Sequence, residues 1–290
     1  MLFIDLRATP SGGICAAEAS VWLDGTVAQS PAQFTAAVRG RDLVLATHGF
    51  NVSRQDGIAA LSNWSQLMSL PAGAMLVGVL WPGDSRYLPV VDYPAEGEVA
   101  IEAGRLLAGF LNQNAQAAAS ISLVSHSLGG RVVLETASNL DRDIRRLVLM
   151  AAAVEDDCLT NEYQEAAVKA QQIYVLASRS DWVLQYAFPA GNLIGEIIMR
   201  GHPYFRAALG REGPALPIDL HQRGGAWQIP DGWGYEHGDY LPKEAVAATL
   251  PAQTQPPADS ATPPANPPFE GWKSAWSASA VSFQVAERGG

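Results

Sequence analysis

Lysine is almost absent from this chain: Lys169, Lys243 and Lys273 are the only three among 19 basic residues. Against 29 acidic residues the formal net charge is −10. A nucleic-acid or anionic-membrane partner would meet repulsion rather than a basic footprint, so neither is expected. Cysteine is as scarce. Cys15 and Cys158 permit one disulfide without demanding it and supply no stapled framework. No apolar run approaches the roughly 18 residues of a membrane-spanning helix, so no transmembrane segment is expected. Met1 to Arg7 is interrupted by Asp5 and preceded by no basic segment, a poor secretory signal. The expectation is a soluble, cytoplasmic protein. No glycine-rich loop ends in a phosphate-binding lysine, and no Cys, His or Asp group has metal-ligand spacing, so no cofactor and no metal are expected. Charged residues make up only 17% and apolar residues 48%, which excludes a disordered chain.

Present instead is an alternation of short apolar runs and longer helical patterns. Asp42–Thr47, Ala74–Leu80, Ser120–Val124, Arg146–Ala151 and Gln172–Ala177 are continuous apolar runs ending at turn residues. Such runs fit strands buried on both faces of a parallel sheet. Candidate helices lie between them at Asp56–Leu70, Glu96–Asn114, Gly129–Leu140 and Asn161–Gln171. Val99, Leu106, Leu107 and Phe110 recur at helical spacing and read as core. The alternation predicts an α/β fold with a doubly wound, mostly parallel sheet. Met1–Arg7 and Ala19–Asp24 supply two earlier strands, assigned more weakly within residues 1–40. The predicted domain spans 1–250. Seven prolines then fall between Pro251 and Pro268, so 251–290 reads as an extended tail. Its Trp272, Trp276 and Phe283 argue that it docks on the domain rather than hanging free.

In open α/β sheets the chemistry sits at the carboxyl ends of the strands. Those ends read His48-Gly49-Phe50-Asn51, Trp81-Pro82-Gly83-Asp84, Ser125-His126-Ser127-Leu128-Gly129-Gly130, Asp156-Asp157 and Ser178-Arg179-Ser180-Asp181. The third is a small-x-Ser-x-small turn between a strand and a helix, with Ser125 in place of the usual first glycine. A nucleophile on so sharp a turn tolerates only small neighbours. Ser127 then needs a base, itself oriented by an acid. Among five histidines, His237 ranks first, because it lies in a loop before a final helical pattern. His221 ranks second, and His48 is read as tying down its own loop. For the acid, Asp181 directly follows a strand and completes a serine–acid–histidine order; Asp156 and Asp157 remain alternatives. Two donors for an oxyanion are expected from the backbone N–H groups of Leu128 and Phe50, with Gly49 permitting close approach.

Together these segments resemble the α/β-hydrolase superfamily. Within it they are most similar to a bacterial group, largely uncharacterised, that pairs an HGFN segment with a WPS-like segment and an HSxG elbow. The resemblance covers about Asp42 to Leu250. It implies a serine hydrolase fold and mechanism carried by Ser127, Asp181 and His237, without implying a substrate. The connection Glu155–Gln171 is too short for a separate cap domain. Trp182–Glu236 reads as an irregular, aromatic-rich excursion partly covering the site. Trp182, Trp227, Trp233 and Tyr87 are candidates to line the substrate pocket, with packing onto the sheet as the alternative. The favoured activity is that of a carboxylesterase or lipase-like enzyme on a small, neutral or apolar ester. Thioesterase, amidase, peptidase and acyltransferase chemistry use the same triad. A non-catalytic binding protein on a hydrolase fold is the alternative from another class.

Overall fold

The apolar runs become strands because each loses nearly all its surface to neighbours on both sides. In the computed structural model, residues 1–10, 13–67, 70, 72–84, 89–187, 207–215, 224–229, 231 and 235–240 are described. The early part of the chain gives strands β1 (Leu2–Arg7), β2 (Cys15–Leu23) and β3 (Val27–Gln29), then helix α1 (Pro31–Val38). There follow β4 (Asp42–Thr47), α2 (Arg54–Leu67), β5 (Ala74–Leu80), α3 (Pro89–Asn114), β6 (Ser120–His126) and α4 (Gly129–Asn139). The last elements are β7 (Ile144–Met150), α5 (Gln164–Lys169), β8 (Ala170–Ser178) and β9 (Gly224–Ile229). Among the described residues these strands form one nine-stranded sheet, ordered β3-β2-β1-β5-β4-β6-β7-β8-β9. From β1 to β9 every neighbouring pair is parallel, while β2 runs antiparallel to β1 and to β3. Val44, Leu45, Val77, Leu123, Val148 and Val175 are fully buried along the central strands, as continuous apolar runs require.

The strand order reverses beside β4. The chain passes from β4 through α2 to β5 on one side, then through α3 to β6 on the other. The helices that follow β4 and β6, α2 and α4, cover opposite faces. Thr47 at the end of β4 lies beside Gly129 of α4, and its register partner Val79 points the same way. Leu80 must then point to the other face, where its side chain meets Gly57 of α2. The chain thus leaves β4 and β6 toward opposite faces, and this switch point lies at the carboxyl edge, the place such sheets bind ligands.

Three expectations need correction. α3 begins at Pro89, ahead of the expected Glu96; proline is favoured in the first helical turn because its missing N–H is not needed there. α5 is shorter than Asn161–Gln171, because Ala170 and Gln171 already belong to β8. The excursion Trp182–Glu236 is not irregular throughout: Gly224–Ile229 returns as β9, pairing Ile173 with Gly224 through Ser178 with Ile229. Ahead of β4, α1 opens with a capping box in which Ser30 and Gln33 satisfy each other's backbone N–H groups. Cys15 and Cys158 are both buried and form no disulfide with each other. The expected tail 251–290 lies outside the described residues.

Candidate active site

β6 delivers Ser127 to the carboxyl edge of the sheet through a turn held by its backbone bonds and close neighbours. Ser127 has φ +55°, a left-handed conformation that is unfavourable for a residue with a side chain. Its backbone is held on both sides: its N–H donates to the Met150 carbonyl at 3.0 Å, and its carbonyl accepts from Ala153 N–H at 3.1 Å and Gly130 N–H at 2.9 Å. The small neighbours have specific reasons. A Cβ at Gly129 would stand 2.4 Å from the His48 carbonyl oxygen, and one at Gly130 would stand 3.2 Å from Ala152 Cβ. Ser125 fits the first small position, because its buried hydroxyl donates to the Val148 carbonyl at 3.3 Å.

The chain brings His237 and Asp181 to this serine across long separations. His237 Nε2 lies 2.7 Å from Ser127 Oγ, and His237 Nδ1 lies 2.7 Å from Asp181 Oδ2. Asp181 is fully buried at the end of β8. Its other oxygen accepts the Leu184 N–H at 2.9 Å, so the carboxylate is fixed from both sides. Asp156 and Asp157 are held by other contacts of their backbone. Asp156 exchanges backbone bonds with Ala207 and Ala215, and Asp157 starts the short 3₁₀ turn Cys158–Thr160. Of the two acid locations left open by the sequence, the structure brings Asp181 to the histidine.

Leu128 caps α4 immediately after Ser127, where helix N–H groups lack intrahelical acceptors. Gly49 lies directly opposite: a Cβ there would be 2.9 Å from Ser127 Cβ and 3.0 Å from His126 Nδ1. Phe50 therefore follows in the loop that lies against Ser127. That loop is clamped by the Trp81-Pro82-Gly83-Asp84 segment. Trp81 Nε1 donates to the His48 carbonyl at 2.9 Å, and Asn51 N–H donates to the Gly83 carbonyl at 2.5 Å. Asp84 pairs with Arg7 at 2.5 Å, and Arg7 also donates to the Val52 carbonyl at 2.7 Å. His48 stays inside its own loop, stacked on Trp81 with its Nδ1–H donating to the Gly49 carbonyl. Of the expected lining residues, Trp182 is 54% exposed beside Asp181. Tyr87, Trp233, the Trp227 side chain and His221 lie outside the described residues.

Residues 29–250 match a sequence family described as alpha/beta hydrolases of unknown function (DUF900). The chain belongs to this family. Among solved structures, an uncharacterized protein from Bacillus cereus aligns at 16% identity and TM-score 0.40, over 69% of this chain and 55% of that one. The chain thus spans about half the length of that protein. Acetyl xylan esterase 1 from Thermoanaerobacterium sp. aligns at 13% identity and TM-score 0.39, over 69% and 70% of the two chains. Esterase PE8 aligns at 19% identity and TM-score 0.38, over 69% and 86%. No curated protein matches the sequence. Among the described residues of this α/β hydrolase, no helix is long and apolar enough to cross a membrane.

Two histidines of the hydrolase motifs are buried without charge. Burial pushes His48 down to about 4, reinforced by the nearby Arg7 and opposed by its bond to Gly49 and by Asp84. Burial and the neighbouring His237 push His126 down to about 3, opposed by its bond to the His237 carbonyl. Unfolding exposes both to water, where each takes a proton below about pH 6.5. The unfolded chain therefore binds more protons than the fold between about pH 6.5 and 4, and stability falls as pH drops through that window. At pH 5 the slope of unfolding free energy against pH should correspond to roughly one proton more in the wild type than in His126→Gln. Equal slopes would count against the neutral buried state.

Proposed function

We propose that this hydrolase is a serine esterase that cleaves small, neutral or apolar carboxylic esters through an acyl-enzyme. The observation that carries the reading is the unbroken chain Asp181–His237–Ser127, with both contacts at 2.7 Å. Asp181 accepts the Nδ1 proton of His237, which leaves Nε2 as an acceptor for the Ser127 hydroxyl. As Ser127 Oγ attacks the ester carbonyl carbon, its proton passes to His237 Nε2. The resulting imidazolium is stabilised by the buried carboxylate of Asp181. The carbonyl oxygen becomes an oxyanion, and the Leu128 and Phe50 N–H groups are its assigned donors in this reading; a donor of this kind contributes roughly 10²–10³-fold. His237 then gives its proton to the departing alkoxide. Water repeats the sequence on the acyl-enzyme, with His237 again as base, and releases the acid and free Ser127. Esters suit this machinery because an alkoxide leaves readily once protonated. The net charge of −10 disfavours anionic substrates.

The test is labelling with a fluorophosphonate, which captures a serine only when its base is in place. The adduct is expected on Ser127, with none formed by Ser127→Ala, and p-nitrophenyl butyrate should be cleaved by the wild type alone. An adduct mapped to another serine, or esterase activity that survives Ser127→Ala, would overturn the assignment.

A further inference from the structure

The residue that precedes the nucleophile has no part in the scheme above, yet it holds the base. His126 ends β6, 7% exposed, in register with Met150 of β7. Its Nε2 lies 2.7 Å from the backbone carbonyl oxygen of His237, a contact across 111 residues. A carbonyl only accepts, so His126 carries its proton on Nε2. The two rings stand 4.9 Å apart, and His126 also lies 6.1 Å from the buried ring of Tyr240.

We propose that His126 is a positioning residue for the catalytic histidine. Consecutive residues of one turn grip His237 at two points: His126 holds its backbone and Ser127 meets its imidazole. The inference rests on the Ser127–His237–Asp181 reading. The geometry explains why the grip matters. His237 sits in the turn 237–240, and its backbone is tied to the sheet nearby by Ser178 Oγ donating to the Tyr235 carbonyl at 2.6 Å. With the His237 carbonyl also fixed, the imidazole reaches both Asp181 and Ser127 from one backbone position. With it released, the turn between Tyr235 and Tyr240 is free to pivot, and the two 2.7 Å contacts are no longer imposed together. A misplacement of about 1 Å is enough to cost on the order of 10²-fold in rate. Plain packing does not explain the residue type. A phenyl ring fills the same space without a polar nitrogen to bury, and burying an imidazole is unfavourable unless its N–H is satisfied.

The experiment compares His126→Phe, which keeps the ring and loses the donor, with His126→Gln. Glutamine places an N–H the same number of bonds from the backbone. For p-nitrophenyl butyrate, His126→Phe is expected to lower kcat roughly 10- to 100-fold with little change in KM. His126→Gln is expected to recover most of that loss. Wild-type kcat in His126→Phe, or no recovery with glutamine in a folded variant, would overturn the proposal. If His126→Phe does not fold, nitrogen-15 NMR of the wild-type imidazoles decides: the proposal requires a neutral His126 protonated on Nε2, and an Nδ1-protonated ring would refute it. Ser127→Ala, measured in parallel, separates the two failures. Activity that survives Ser127→Ala sinks the triad itself, whereas an inactive Ser127→Ala beside an unimpaired His126→Phe sinks only the positioning role.

Discussion

Asp181→Asn is expected to lower kcat for ester hydrolysis by about 10⁴-fold while leaving the fold intact. The reason is a tautomer. Asp181 Oδ1 accepts the Leu184 N–H at 2.9 Å, and Oδ2 faces His237 Nδ1 at 2.7 Å. An asparagine here has one oxygen and one NH₂ group. The Leu184 N–H demands the oxygen, so the NH₂ group is turned toward His237. Nδ1 must then accept rather than donate, and the imidazole proton moves to Nε2. A protonated Nε2 has no lone pair with which to take the Ser127 proton. Substrate contacts are untouched, so KM should change little and the loss should fall on kcat. Fluorophosphonate labelling should slow in parallel. Asp156→Asn and Asp157→Asn should keep near-wild-type kcat, since it is Asp181 that faces His237 Nδ1. Asp181→Asn with wild-type kcat would remove Asp181 from the mechanism.

The strand-end motifs were legible because each is local. A continuous apolar run followed by His-Gly, Trp-Pro-Gly or Ser-His-Ser declares a buried strand and its carboxyl end in a few residues, and β4 and β5 have the expected bounds. What joins the motifs was not legible. Arg7 lies 77 residues from Asp84, and His126 lies 111 residues from His237. A buried arginine in a first strand, or a histidine beside Ser127 in its turn, carries no signal of its partner. β9 escaped for a different reason. It opens with Gly224 and Gly225 and lies in a stretch dense in glycine and proline, where glycine weakens the strand signal. Its place at the sheet edge comes from pairing with β8, a tertiary fact.

Arg7→Met is expected to lower stability by about 3 kcal/mol and the melting temperature by roughly 10 °C. The Arg7 side chain is 1% exposed and Asp84 20% exposed. Removing the guanidinium leaves a largely buried carboxylate without its countercharge and the Val52 carbonyl without its donor. Losing one partner is far more damaging than losing both, because the survivor keeps its desolvation penalty. The double variant Arg7→Met/Asp84→Leu should therefore regain much of the stability. Activity should not follow. The loop from His48 to Val52 is held at three points, by Trp81, Gly83 and Arg7, and the double variant still lacks the third. Because Phe50 rides on that loop, kcat should stay about tenfold or more below wild type even where the melting temperature has recovered. Thermal unfolding and steady-state kinetics on the single and double variants separate the two effects. If stability and kcat recover together, Arg7 serves the fold alone, and the loop holds its working geometry without the Val52 anchor.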